Sequence, residues 1–386
     1  MKIKKNKKQT VKVTNSSAPF LSKRLESLDA LRGFDMLLII GGTSLITSFI
    51  NAMQWDSLSW LTDQFRHVPW HGLTFEDVIF PLFLFMVGVS MVYSVSSSQK
   101  KGLSKKEIYL KAFKRMILLS VLGIIYKNRP LHFDWGEIRY VSVLGRIGVT
   151  GFLATLILLN TTSWRGIVYW LTGILIFYWL ALLFIPVPGY GAGDLSMEGN
   201  MATHINSIIV PGRMVSGNGI YDENGFFQHI PATGLVLMGT LAASILRNQW
   251  LESRKIIGLI GAGVIAIIVG VLWNFHFPIN KHLWSSSFIL VSGGISFLFM
   301  ALFYGVIDVW GFKKWAFPFK VIGLNSIFIY MASGLIDFGY TSRYLLNGFI
   351  LMSGEDWQRF IIQLGVLLLE FGVLYFMYRK RIFIKV

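Results

Sequence analysis

Cysteine is absent from all 386 residues. That excludes disulfides, thiol nucleophiles and thiolate metal sites, and leaves the redox compartment unreadable. Charge is scarce too. Only 15% of residues are Asp, Glu, Lys or Arg, against roughly 25% in a soluble domain. The alternation of apolar and polar positions that marks transmembrane strands is missing, as is any internal repeat or low-complexity segment beyond a lysine-rich N-terminus. What is present is a 54% hydrophobic composition. Its apolar residues come in blocks of about twenty, enough for a helix to cross a ~30 Å hydrocarbon core at 1.5 Å per residue. The expected fold class is all-α: a polytopic membrane protein of about ten transmembrane helices.

The spans fall near 33–50, 75–95, 110–126, 141–159, 164–185, 231–248, 256–275, 284–308, 317–336 and 358–378. The net charge of +16 would suggest a nucleic-acid partner in a soluble protein. Here it is read as marking cytoplasmic loops, so no nucleic acid is expected. With the N-terminus placed in the cytoplasm, 27 of the 36 Lys and Arg residues fall on the cytoplasmic side and 8 on the outer side. That orientation puts both termini in the cytoplasm. Residues 1–24 read as a basic cytoplasmic tail rather than a signal peptide, because no small-residue cleavage site follows the first apolar run. Residues 25–386 read as a single transmembrane domain with an outer cap over 186–230. All seven histidines then lie in outer connections or at outer helix ends, and the long loops 51–74, 186–230 and 337–357 are outer as well. Long loops that hold titratable groups are where chemistry tends to reside.

Five groups of residues stand out. The first runs from His67 through Trp70, His71, Thr74, Glu76 and Asp77 into the second span. Thr74 and Asp77 have the spacing of a helix cap, whereas His67 has no such structural reason and suits proton transfer near neutral pH. His67 and His71, four apart, could be metal ligands on one helical face. Pro69 lies between them and no third ligand is near, so no metal is expected. The second group is Asp29 and Arg32, spaced for an ion pair at the cytoplasmic interface, where an arginine could also hold a phosphate. The third is Arg146 inside the fourth span, with Asp77, Glu137 or Asp308 as possible partners. The fourth is Asn280-Lys281-His282-Leu-Trp284-Ser285, in which Trp284 taken alone reads as an aromatic-belt residue. The fifth is Asn325, a buried amide suited to bonding a neighbouring helix.

In combination these residues resemble the membrane acyltransferase family of lysosomal heparan-α-glucosaminide N-acetyltransferase and its bacterial relatives. The resemblance rests on Ser27-Leu-Asp29-Ala-Leu-Arg32-Gly33 and on His67-x-x-Trp70-x-Gly72-Leu73-Thr74-x-x-Asp77-x-x-Phe80-Pro81. It continues through Leu144-x-Arg146-Ile147, Pro188-Gly189, Tyr221-Asp222-x-x-Gly225, Asn280-Lys281-x-Leu283-Trp284-Ser285 and Gly323-x-Asn325-Ser326. It covers roughly residues 24 to 330, and the His67 and Asn280 blocks are its most specific parts.

The resemblance implies an enzyme that moves an acetyl group from cytosolic acetyl-CoA to an amino-sugar or glycan acceptor on the outer side. The family's catalytic histidine falls on His67, which the resemblance implies is a catalytic base or an acyl relay. Asp77 is expected beside it as an orienting carboxylate. Trp70, His71, Arg146, Asp222, Asn280, Lys281 and Trp284 are expected on the acceptor side, with Asp29, Arg32, Thr43 and Asn325 on the donor side. Two positions depart from the family pattern. Gly41-Gly42-Thr43 replaces a polar asparagine in the first span, and Ala332-Ser333 stands where a histidine is often found after Tyr330. The short basic tail suggests a bacterial cytoplasmic membrane, and a homodimer is one open assembly. The competing reading is a polytopic transporter or flippase for a sugar-containing substrate, which would require related halves or matched interrupted helices. Neither is evident in the sequence.

Overall fold

A computed structural model describes residues 25–129, 134–161 and 163–384. The tail expected over 1–24 lies outside the described residues, as does His132. The elements, in order, are α1 (Glu26–Leu37), α2 (Thr43–Ala52), α3 (Ser59–Gln64), α4 (Phe75–Lys100), α5 (Lys105–Lys127), α6 (Val143–Asn160), α7 (Trp164–Phe184) and α8 (Met201–Ile209). They continue with α9 (His229–Leu246), α10 (Glu252–Trp273), α11 (Ser286–Phe303), α12 (Phe317–Leu324), α13 (Ser326–Leu335), α14 (Phe338–Met352) and α15 (Glu355–Arg379). Among the described residues there is no strand, only three isolated bridges.

Eight helices among the described residues are long and apolar enough to cross a membrane, or nine if the bent pair α12–α13 is one span. The chain is therefore a polytopic helical membrane protein, as its apolar blocks require. Each expected span maps onto a helix, with three amendments. α5 has the length to span, but Lys105, Lys106, Lys111, Lys114 and Arg115 crowd its first half, and its composition falls short. The span expected at 317–336 breaks at Asn325, where α12 and α13 meet at 75°. The loop expected at 337–357 is mostly helix α14, which doubles back along α15.

Local sequence explains where many helices begin. Ser104, Ser142, Ser163, Asn200 and Ser285 are the N-caps of α5, α6, α7, α8 and α11, each accepting a backbone N–H from the first turn. Interhelical packing depends on small residues, because lipid gives apolar helix faces little reason to associate. α4 and α9 are the most buried spans, and they cross at Gly88 and Gly239. A Cβ on Gly88 would lie 1.9 Å from the Val236 carbonyl oxygen, and one on Gly239 would lie 1.9 Å from that of Phe85. α1 and α12 cross through Gly33 and Gly323 in the same way. α10 and α15, the least buried spans, form the periphery.

α4 serves as a ruler through the bundle. Its N-terminus carries Asp77, and Ser90 lies thirteen residues on, about 20 Å along the axis at 1.5 Å per residue. The chain enters the described fold at the opposite end from Asp77. There Glu26 meets Lys313 and Lys320 at 2.8 and 2.9 Å, and Arg32 donates to the Ser90 hydroxyl at 2.6 Å.

Candidate active site

The N-terminus of α4 creates the first part of the site. The carboxylate of Asp77 accepts the Thr74 backbone N–H on Oδ2 at 3.1 Å and so caps the helix. Its other oxygen, Oδ1, lies 2.7 Å from His67 Nδ1. A carboxylate only accepts, so Nδ1 carries the hydrogen, and Nε2 is left with a lone pair. Asp77 is fully buried, whereas the His67 side chain is 49% exposed. The imidazole is thus anchored from behind and open in front.

The turn between α10 and α11 supplies the second part. Ser285 N–H returns to the Asn280 carbonyl, Asn280 N–H donates to Ser285 Oγ, and Trp284 takes a left-handed φ of 54°. This tight turn directs the Lys281 ammonium to 3.0 Å from His67 Nδ1, 3.2 Å from Nε2 and 3.4 Å from Asp77 Oδ1. Lys281 therefore sits over the imidazole edge and shares the carboxylate. Gly72 N–H donates to the Ile279 carbonyl at 2.9 Å, joining the two segments. Asn280 Nδ2 faces His71 Nδ1 at 3.2 Å, and its Oδ1 accepts Leu283 N–H. His67 and His71 thus serve different partners, not one metal-binding face.

The 186–230 segment covers this end of the bundle. Asn206 holds it together by donating to Gln228 and accepting from Phe227 N–H, and Trp70 Nε1 pins it by donating to the Leu195 carbonyl at 2.8 Å. Trp70 stacks on His282 with 5.4 Å between ring centroids and meets Tyr221 edge-on at 5.2 Å. His282 Nε2 lies 3.2 Å from the Val68 carbonyl, so it must donate, and Nδ1 accepts from the Tyr221 hydroxyl at 3.1 Å. Burial holds the His282 imidazole below its ordinary value, partly opposed by the Val68 bond and by Glu223. Burial, together with Glu223 and Asp222, pushes the Tyr221 phenol up to about 12. For Glu223 burial acts upward, but Lys281, His282 and Arg146 outweigh it and hold the carboxyl below the usual range.

Arg146 is fully buried, and none of the partners expected from the sequence is the one it uses. Its guanidinium lies over the Trp284 ring at 4.2 Å and donates to the Glu223 backbone carbonyl, while Nε and Nη1 find no partner among the described residues. The reason is the cap, which folds back over α6 and brings Glu223 to it. Trp284 is 1% exposed, wedged between Arg146, Phe80 and Phe288; it is a packing residue and not a belt residue. Asp222 is also structural in its contacts. It grips Arg139 through two bonds of 2.7 and 2.8 Å and accepts Asn224 N–H, so both carboxylate oxygens are already occupied.

His67, Trp70, His71, Asp77, Arg146, Asn280, Lys281 and Trp284 therefore gather at one end. Reasoning from the sequence quoted Tyr221 and His282 within its motifs without giving them a role, and missed Glu223, which follows the Tyr221-Asp222 motif, as part of this cluster.

The remaining four candidates lie elsewhere. Asp29 and Arg32 form the expected pair at 3.6 Å, and Arg115 of α5 lies close enough to Arg32 for mutual repulsion. Thr43 is half-buried just beyond a π-helical turn in the first span. Asn325 does bond a neighbouring segment: its amide donates to the Ile382 carbonyl and accepts Ile384 N–H, clamping the C-terminus into the bend. Between the two ends, Met36, Ile39, Phe80, Phe83, Ile147 and Tyr330 line a narrow apolar gap.

Residues 24–130 match a family described as a domain of unknown function (DUF5009). Over 95% of its length the chain is similar to heparan-alpha-glucosaminide N-acetyltransferase, at 27% identity to the mouse protein and 28% to the human one. The chain spans 61% of the mouse protein and 60% of the human protein. The resemblance carried by the motifs thus extends through nearly all of the chain.

Proposed function

We propose that this chain is a transmembrane acyltransferase that carries an acetyl group from acetyl-CoA to an amino-sugar acceptor, with His67 as the proton acceptor. One observation carries the reading. A half-exposed imidazole has its Nδ1–H fixed on a buried carboxylate, Asp77, and its Nε2 keeps a lone pair that the Lys281 ammonium approaches at 3.2 Å. That is the arrangement a nucleophile-activating histidine needs. The likeness to an N-acetyltransferase over 95% of the chain supports the reaction class.

In this reading the acceptor nitrogen attacks the thioester carbonyl as His67 Nε2 removes its proton. The C–N bond forms, the C–S bond breaks, and CoA leaves as a thiolate that takes up a proton. Asp77 keeps the imidazole in the productive tautomer and stabilises the imidazolium. The Lys281 ammonium, beside the ring, stabilises the oxyanion that develops on the carbonyl. Trp70 and His282, stacked under the cap, form one wall of the acceptor site.

The donor's phosphates are assigned to the opposite end of α4, where the basic side chains of Arg32 and Arg115 lie near each other. About 20 Å of helix separates Asp77 from Ser90, a distance of the order of an extended pantetheine arm. The apolar gap beside Phe80 and Phe83 marks the seam through which that arm would run. The membrane is assigned as a bacterial cytoplasmic one, with both termini in the cytoplasm and the His67 cluster on the far side.

The test is His67→Ala, assayed for acetyl transfer to glucosamine from labelled acetyl-CoA, with thermal unfolding measured alongside. The expected result is a loss of about 10²–10⁴ in rate, the range for removal of a general base, with an unchanged unfolding midpoint. A variant that keeps the parental rate would remove His67 from the mechanism.

A further inference from the structure

A second polar feature lies outside the His67 cluster. A cavity of about 380 Å³ is lined by Ile40, residues 333–339, Val366 and Glu370. Helices break on two sides of it. The first span widens into a π-helical turn over Leu38–Gly42, where Gly41 takes a non-helical φ of 145° next to Ile40. On the other side α13 ends at Leu335 and the chain turns before α14 begins.

That second break leaves acceptors unmet. The last backbone bonds there run from Ile336 N–H to Ala332 and from Phe338 N–H to Ile336. The carbonyls of Ser333, Gly334 and Leu335 accept no hydrogen bond among the described residues. They form the C-terminal end of a helix, which carries partial negative charge. From α15, within a membrane-spanning segment, Glu370 joins them. It is 1% exposed, and its Oε2 has no hydrogen-bond partner among the described residues. No Lys, Arg or His lines the cavity, although Arg343 of α14 approaches Gly339.

We infer that this cavity is a binding site for a monovalent alkali cation, Na⁺ being the type, held by the Glu370 carboxylate and the free carbonyls at the end of α13. The donor set is all oxygen, which suits a hard cation rather than a transition metal. Only one carboxylate is buried, and it balances a single positive charge. The Asp337 carboxylate sits at the exposed mouth, and one of its oxygens is occupied by Tyr340 N–H at 2.8 Å. Interrupted helices whose freed carbonyls face a cavity are a recurrent way to hold such an ion at membrane depth. The bound ion ties the π-helical turn of the first span to α13 and α15. This role is separate from acyl transfer and does not depend on it.

The experiment uses the purified full-length protein in detergent. Binding of radiolabelled Na⁺ is measured, and thermal unfolding midpoints are compared in NaCl and in choline chloride at equal ionic strength. The wild type is expected to bind Na⁺ saturably and to unfold at a higher temperature in NaCl, because a ligand that binds only the folded state stabilises it. Glu370→Gln is expected to abolish both effects while unfolding in choline chloride no earlier than the wild type. Wild-type midpoints that are the same in the two salts would overturn the site whatever the variant does, as would Na⁺ binding that survives in Glu370→Gln. Either result would leave Glu370 as a protonated carboxyl alone.

Discussion

Asp77 and Glu370 are both acidic side chains buried in membrane-spanning helices, and their surroundings treat them in opposite ways. Asp77 sits at a helix N-terminus, where free N–H groups and the positive helix end favour a carboxylate, and His67, Lys281 and Thr74 share its oxygens. Glu370 sits well inside α15 beside a helix C-terminus, and its Oε2 has no hydrogen-bond partner among the described residues. A carboxylate with a complete set of partners acts by fixing a neighbour, in this case an imidazole. One with an unpartnered oxygen is neutralised by a proton or by a counter-charge from outside the chain. In the two proposals, the same residue chemistry anchors a reacting group at one place and holds a ligand at the other.

The contrast can be broken most sharply at Asp77. Asp77→Asn still offers an oxygen to Thr74 N–H, so stability should change little, but the amide can donate to Nδ1 and select the wrong tautomer. Acetyl transfer should fall by about 10²-fold or more with an intact unfolding midpoint. Equal losses of fold and activity would reduce Asp77 to a helix cap, which is worth ~1 kcal/mol.

A smaller effect separates the rigid inner pair from the periphery. Gly88→Ala should cost about 1–3 kcal/mol, because its methyl meets the α9 backbone. Gly372→Ala in α15, with open space around it, should be neutral or stabilising by up to ~1 kcal/mol. Unfolding in detergent would report both. Similar values for the two would mean that α4 and α9 are not the tight centre of the bundle.

The smallest effect is pH dependence. Burial lowers the folded-state value of His282 below its unfolded value of about 6.5. Its stabilising contribution is therefore complete above about pH 6.5 and is lost as pH falls through the folded value. Glu223, also lowered, weakens the fold only at still more acid pH. A His282→Gln variant should lose the first phase of that acid destabilisation and keep the second.

The helices were legible in the sequence because a bilayer permits few other solutions: apolar blocks of sufficient length have to be spans. His67, Asp77 and Lys281 were legible as members of motifs, and the Thr74–Asp77 spacing announced the cap. The partner of Arg146 was not. Glu223 reaches it only because the 186–230 segment folds back over α6, a long-range event that local spacing does not encode. Trp284, which taken alone reads as a belt residue, is instead buried, with a left-handed φ at the turn that carries it. The end of the span near 336 was legible, but the 75° break at Asn325 was hidden because the apolar pattern runs through it, and only three-dimensional packing exposes the free carbonyls beside Glu370.

The most direct test of the proposed reaction is its sidedness. The protein would be reconstituted in sealed vesicles of known orientation, with labelled acetyl-CoA on the side of the N-terminus and glucosamine on the other. Acetylated product should then accumulate with the acceptor, and reversing the two reagents should abolish it. Product formed only when both share one compartment would contradict transfer through the bundle from the Arg32 end to His67.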